Sequence, residues 1–178
     1  MRKLVKLLVV VFLLSGGMLI SDKVQAKRAY KKLVVKHKRY KRYPAKGTHV
    51  LYVNSAKRIK HGKGVFYHAN GIYYKKSTRG YKIVAAPVGI RVKVLPVKHV
   101  RIVLNGRNYF YHYGTYYIAL GKRYEIVTPP VGIQVDNLPN GYKLITKNGR
   151  TFYVVDGVYY KRAILKNGVR VFQVVRVA

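Results

Sequence analysis

A short block of residues recurs along this chain at a spacing of 43, and no other feature narrows its fold so far. Gly71-Ile72-Tyr73-Tyr74, Gly114-Thr115-Tyr116-Tyr117 and Gly157-Val158-Tyr159-Tyr160 are successive copies. Pro87-Val88-Gly89 returns as Pro130-Val131-Gly132, Leu95-Pro96 as Leu138-Pro139, and Asn105-Gly106 as Asn148-Gly149. Between 71–96 and 114–139, 13 of 26 positions are identical, and every identity is Gly, Pro, Tyr or an aliphatic residue. Charged positions drift: Glu125 stands where the previous copy has Lys82, and Asp136 where it has Lys93. Turn-forming and apolar positions therefore repeat while solvent positions do not, so the repeated object is a backbone unit rather than a charged motif. A unit this short cannot bury its own apolar face, so neighbouring copies must pack on one another.

Within a copy, short runs of Val, Ile, Tyr and Phe alternate with Gly, Pro and Asn-Gly, and no sustained 3.6-residue apolar period is present. That pattern predicts an all-β fold. In the central copy it predicts strands at 108–112, 115–118, 124–128, 133–136 and 142–146. Asn70-Gly71, Tyr113-Gly114 and Asp156-Gly157 should turn hairpins, as should Asn105-Gly106 and Asn148-Gly149, because a type I′ turn needs positive φ at both central residues. The Pro87 and Pro129-Pro130 segments must be corners or edges, since proline gives no ladder donor. Residues 142–161 read as a three-strand meander. The array is expected to be tandem antiparallel meanders with a 43-residue period, packed as one small sheet or barrel-like domain. The first copy begins loosely near 55–63. The third ends early, closing with an apolar strand at 169–177 after Asn167-Gly168. Left at an edge, that strand would be an association hazard, so it is expected to be paired in its sheet or to pair between molecules.

The chain's beginning reads differently. Arg2 and Lys3 precede an apolar core at 7–14, and Val24-Gln25-Ala26 places small residues at a cleavage site, the layout of a signal peptide over 1–26. The apolar stretch is too short for a membrane span of about 20 residues. Residues 27–46 form a basic arm, and 47–178 the repeat domain. The expected localisation is export, to the periplasm or the medium, with peripheral attachment to the envelope.

The formal charge is +33, from 37 Lys+Arg against 4 Asp+Glu. An imbalance of this size speaks to partners rather than to fold. Candidate polyanion-binding residues are Lys27, Arg28, Lys31, Lys32, Lys36, Lys38, Arg39, Lys41 and Arg42, where like charges repel and leave an extended electrostatic arm. Cysteine is absent, which excludes disulfides, thiolate nucleophiles and thiolate metal sites. After export only Glu125, Asp136 and Asp156 would remain as acids, too few for paired-carboxylate catalysis, and no serine sits in a nucleophile elbow. The six histidines lack metal-ligand spacing and are expected on strand faces or the surface. No enzyme, cofactor or metal is expected. In each Tyr-Tyr pair one ring should face inward and the other outward. Cross-strand packing is the favoured account of these rings. The alternative is a row of outward rings, Tyr74, Tyr117 and Tyr160, able to stack on sugars.

The combination G-x-Y-Y, Y-x-I-V-x-x-P-V-G-I-x-V-x-x-L-P and N-G-x-x-F-Y-x-x-x-G-x-Y-Y, spread over 47–160, resembles an uncharacterised family of bacterial secreted and periplasmic proteins known only as a domain of unknown function. The resemblance implies an envelope location and carries no site residue. The expected function is a non-catalytic secreted or periplasmic protein that binds anionic envelope polymer or lipid headgroups electrostatically. Nucleic acid is disfavoured by export. One alternative is a structural module that self-associates through its terminal strand; a weaker one is a metal-binding or enzymatic protein.

Overall fold

The computed structural model describes residues 43–177. The expected signal peptide over 1–26, the nine arm cations from Lys27 to Arg42 and Ala178 lie outside the described residues. All regular structure described is β. The first sheet holds β1 (His49–Val50), β2 (Lys57–His61), β3 (Gly64–Ala69), β4 (Ile72–Ser77) and β5 (Gly80–Val84). The second holds β6 (Arg91–Val92), β7 (Val100–Leu104), β8 (Arg107–His112), β9 (Thr115–Leu120) and β10 (Arg123–Val127). The third holds β11 (Gln134–Val135), β12 (Lys143–Lys147), β13 (Arg150–Val155), β14 (Val158–Ile164) and β15 (Arg170–Val175). Each sheet has the same antiparallel order: β1-β5-β4-β3-β2, then β6-β10-β9-β8-β7, then β11-β15-β14-β13-β12.

The hairpins form where the turn chemistry allows. Asn70 and Gly71 take φ of 51° and 80°, Asp156 and Gly157 51° and 82°, and Tyr113 and Gly114 48° and 83°. Asn and Asp enter this left-handed region readily; a tyrosine there costs about 1–2 kcal/mol. Tyr113 offsets that cost by burial. Its ring stacks on Tyr43 at 5.1 Å and its hydroxyl donates to the Pro44 carbonyl.

The sheets differ from the expected single sheet or barrel in two ways. There are three separate five-stranded sheets and no closed barrel, because each two-residue opening strand pairs only with the last strand of its own unit. The chain then crosses to the far edge through 51–56, 93–99 or 136–142 before starting the four-strand meander. In the second and third copies these crossings carry Leu95-Pro96 and Leu138-Pro139, with both leucines buried. The proline corner also opens each unit instead of closing it. In the second copy Gly89 N–H donates to Ile126 O (2.8 Å) and Ile126 N–H to Ile90 O (2.9 Å). Gly132 with Val174, and Val174 with Ile133, repeat this at 2.9 Å each. Gly47 with Ile83 (3.2 Å), and Ile83 with Thr48 (2.9 Å), make it a third time. Pro44-Ala45-Lys46-Gly47, four residues that open with the end of the expected basic arm, is therefore the first copy's corner, and the third copy is complete. Of the two outcomes expected for the closing strand, the structure shows pairing within the sheet: β15 lies between β14 and β11.

The sheets stack through opposite faces. Tyr73 of the first sheet joins Ile90, Leu95, Tyr117 and Ile126 of the second in one buried cluster. Tyr111 and Tyr116, on the second sheet's other face, join Val135, Leu138, Tyr160 and Val174 of the third. The Tyr116 and Tyr160 hydroxyls meet at 3.1 Å. The first tyrosine of one unit thus meets the second tyrosine of the next. Each such ring adds about 2–3 kcal/mol by burial, provided its hydroxyl finds a partner.

Candidate anion-binding surface

The predicted stacking row is not on the surface. Tyr117 and Tyr160 are 0% exposed and Tyr74 is 7%. Strand alternation does send successive tyrosines to opposite faces, but a sheet packed on both sides buries both. Burial raises the Tyr73 and Tyr160 hydroxyls above the ordinary tyrosine value; the neighbouring Tyr117 and Tyr116 hydroxyls pull the other way. These rings hold the sheets together and present no face to a sugar.

The cations behave differently. Of the 37 Lys+Arg, 24 lie in 43–177, facing Glu125, Asp136 and Asp156. Those acids are committed. Arg91 Nε reaches Glu125 Oε2 at 2.7 Å, and Lys46 Nζ reaches Asp156 Oδ2 at 2.7 Å. The Asp136 carboxylate oxygens are turned inward in the 136–142 crossing.

Strand pairing gathers basic residues that are distant in sequence. Lys75 on β4 lies directly opposite Lys82 on β5, and Lys82 lies opposite His49 on β1. All three are exposed. Lys75 Nζ sits 4.9 Å from the Phe66 ring centroid on the neighbouring strand, a cation–π contact. Lys76 and Arg79 add charge on the same β4–β5 hairpin. Like charges facing each other across a ladder are unfavourable without a counterion. In the second sheet the equivalent places hold Ile118, Glu125 and Arg91, so an internal ion pair neutralises the row. In the third they hold Lys161, Gln173 and Gln134. Only the first sheet leaves the row wholly basic. The cross-strand register that assembles it was the missing information; the turn at Thr78-Arg79 was the available clue.

Beside this surface, the chain's first described residues cross the junction of the three units. Tyr43 packs edge-on to His112 (5.7 Å), Asn140 Nδ2 donates to the Tyr43 carbonyl (3.2 Å), and Lys46 N–H donates to Asn140 O (2.9 Å). His112 ends β8, so it is on a strand as one of the two expectations had it, but that face is completely buried. Burial lowers its pKa to about 4, helped by the nearby His99, Lys46 and His68 and opposed by the Gly71 backbone. His68 is lowered by burial and by Lys57, and its Nε2 accepts the Gly71 N–H at 3.2 Å. Among the described residues no group of three or more His, Asp or Glu is placed to hold a metal ion.

A family model described as "Family of unknown function (DUF6515)" matches residues 27–178. No curated protein and no solved structure matches the chain.

Proposed function

Since the chain belongs to a family of unknown function, DUF6515, its own surface is the best guide to its role, and we propose that it is a non-catalytic protein that binds phosphate- or carboxylate-bearing polymer of the cell envelope. The reading rests on one observation: His49, Lys82 and Lys75 form a cross-strand basic row that contains no acid, on a sheet whose sister sheet neutralises the same row with Glu125. Export, suggested by residues 1–26, would bring the row to such polymer. The arm cations from Lys27 to Arg42 would add further contacts.

The mechanism is counterion release. Each cation that settles on an anionic chain frees condensed salt, so affinity falls steeply as salt rises. Rigid β4 and β5 hold the cations at fixed spacing, which lowers the entropy lost on binding. Catalysis is not part of this reading, because Glu125 and Asp156 are held in ion pairs.

The test is binding of the full chain to linear polyphosphate, with anionic phosphatidylglycerol vesicles as a second arm, across a salt series. The double variant Lys75→Ala/Lys82→Ala should weaken binding and flatten the salt dependence by about two phosphate contacts. Arg91→Ala, in the neutralised row, should leave both nearly unchanged. Salt-independent binding, or a double variant indistinguishable from the parent, would sink the proposal.

A further inference from the structure

Among the described residues, the joint that docks one unit on the next leaves one donor face and one acceptor face unfilled. In the first unit, a side chain on the hairpin glycine Gly71 would lie 2.6 Å from both His112 Nδ1 and Pro96 Cγ of the second. In the second unit the equivalent Gly114 lies against Pro139 (3.0 Å) and Val155 (3.2 Å) of the third. Pro139 and Val155 are 43 residues beyond Pro96 and His112. One joint is therefore made twice: a Gly-x-Tyr-Tyr hairpin, with its sheet face, seats on the next unit's Leu-Pro crossing and the end of its third strand. In the third hairpin Asp156 is held by Lys46 of the first corner, but among the described residues nothing lies within 4 Å of a side chain placed on Gly157.

The face behind that hairpin is the one the first two sheets bury. Its tyrosine, Tyr159, is half-exposed where Tyr73 and Tyr116 are buried. Phe152 and Val154 stand beside it on β13, and Ile145, 37% exposed, extends the apolar stripe onto the edge strand β12. At the chain's other end, the receiving face of the first sheet is already part-filled, with Tyr74 and Ile83 buried. What stays open there is a cleft of about 600 Å³ lined by Tyr43, Pro44, Val53, Ala69, Tyr74 and Val97. Ala69 is the counterpart of His112 and Val155, and Val53 lies in the crossing where the later units carry Leu-Pro.

We propose that the third sheet of one molecule, led by the Asp156-Gly157 hairpin, docks on this cleft of a second copy of the same chain, continuing the internal joint between molecules. A contact of this kind is heterologous, so it extends head to tail and does not close as a symmetric dimer. Repulsion between chains of charge +33 opposes it. Assembly therefore strengthens as salt screens that charge, the reverse of polyanion binding, and the two readings can fail separately.

Sedimentation velocity of the full chain over a concentration series at low and high salt tests the joint. Ile145→Lys and Tyr159→Glu alter the donor face; Ala69→Arg fills the acceptor cleft. Circular dichroism confirms that each is folded, and Ile145→Lys, at an exposed edge position, remains as the donor test if Tyr159→Glu does not fold. The parent should form a salt-promoted ladder of oligomers, and each variant should weaken association by about tenfold or more, as losing about 1.4 kcal/mol at a contact does. Mixing a donor variant with Ala69→Arg should give pairs and nothing larger, because each chain then has one working end. A monomeric parent at high salt, assembly unchanged in Ile145→Lys and Ala69→Arg, or a closed dimer indifferent to Ala69→Arg would each overturn the proposal.

Discussion

Acidification should weaken this fold through one buried imidazole. His112 is completely enclosed, its pKa is held at about 4 against an ordinary 6.5, and around it lie Lys46 from the opening corner, the His99 and His68 side chains, and the Tyr43 ring. The unfolded chain takes up a proton near 6.5 and the folded one only near 4. Because the folded value is the lower one, the stability is fully present above about 6.5 and drains away as pH falls toward 4. Below that the folded state also protonates and the loss stops. The gap corresponds to about 3 kcal/mol, a large share of a small domain's stability. The internal repeat supplies the comparison variant. Val155 occupies the equivalent position in the third unit, so His112→Val is compatible with the local packing. Urea unfolding followed by tyrosine fluorescence at pH 7, 6, 5 and 4 gives the stability of parent and variant. Groups common to both, His68 and the carboxylates included, largely cancel in the difference. The variant should gain about 3 kcal/mol on the parent between pH 7 and pH 4. A difference that stays flat within about 1 kcal/mol would refute the assignment of a neutral, desolvated His112.

Two glycines separate backbone strain from docking. Gly71 and Gly157 share a φ near +80°, but only at Gly71 would an added methyl meet neighbours at 2.6 Å. Gly157→Ala should cost about 1–2 kcal/mol from φ strain alone. Gly71→Ala should cost at least about 2 kcal/mol more by displacing His112 and Pro96, and thermal or urea unfolding of the pair reads the gap. The Lys46–Asp156 bridge, with side chains only 8% and 19% exposed, joins the first corner to the third hairpin. Lys46→Ala should destabilise by about 2 kcal/mol, and adding Asp156→Asn should recover part of that in a double-mutant cycle. A cycle with no coupling would place the bridge among surface pairs of negligible worth.

The elements were legible because local chemistry dictates them. Asn-Gly and Asp-Gly admit the positive φ that a tight hairpin needs, alternating Val, Ile and Tyr fill pleated faces, and proline stops a ladder. The central strands accordingly fall within a residue or two of their expected bounds. The basic row was not legible as a site. Lys75, Lys82 and His49 become neighbours only through strand register, and the density of charge in 27–42 drew attention to the arm instead.

What the sequence determined by itself is the repeated unit: its period, its turns, its all-β character and its excess of positive charge, each written in residues that are close along the chain. The tertiary structure decided three other things. It set where a unit begins, because the proline corner is claimed by the strand that follows it. It decided that both tyrosines of the first two pairs are buried, because those sheets are covered on both faces. It also decided that His112 is enclosed while its counterpart Ala69 lines an open cleft. Identical local sequence cannot encode these differences. They arise from what each position meets: Gly71 and the Tyr43 ring close over His112 of the second unit, while Ala69 of the first lines the cleft.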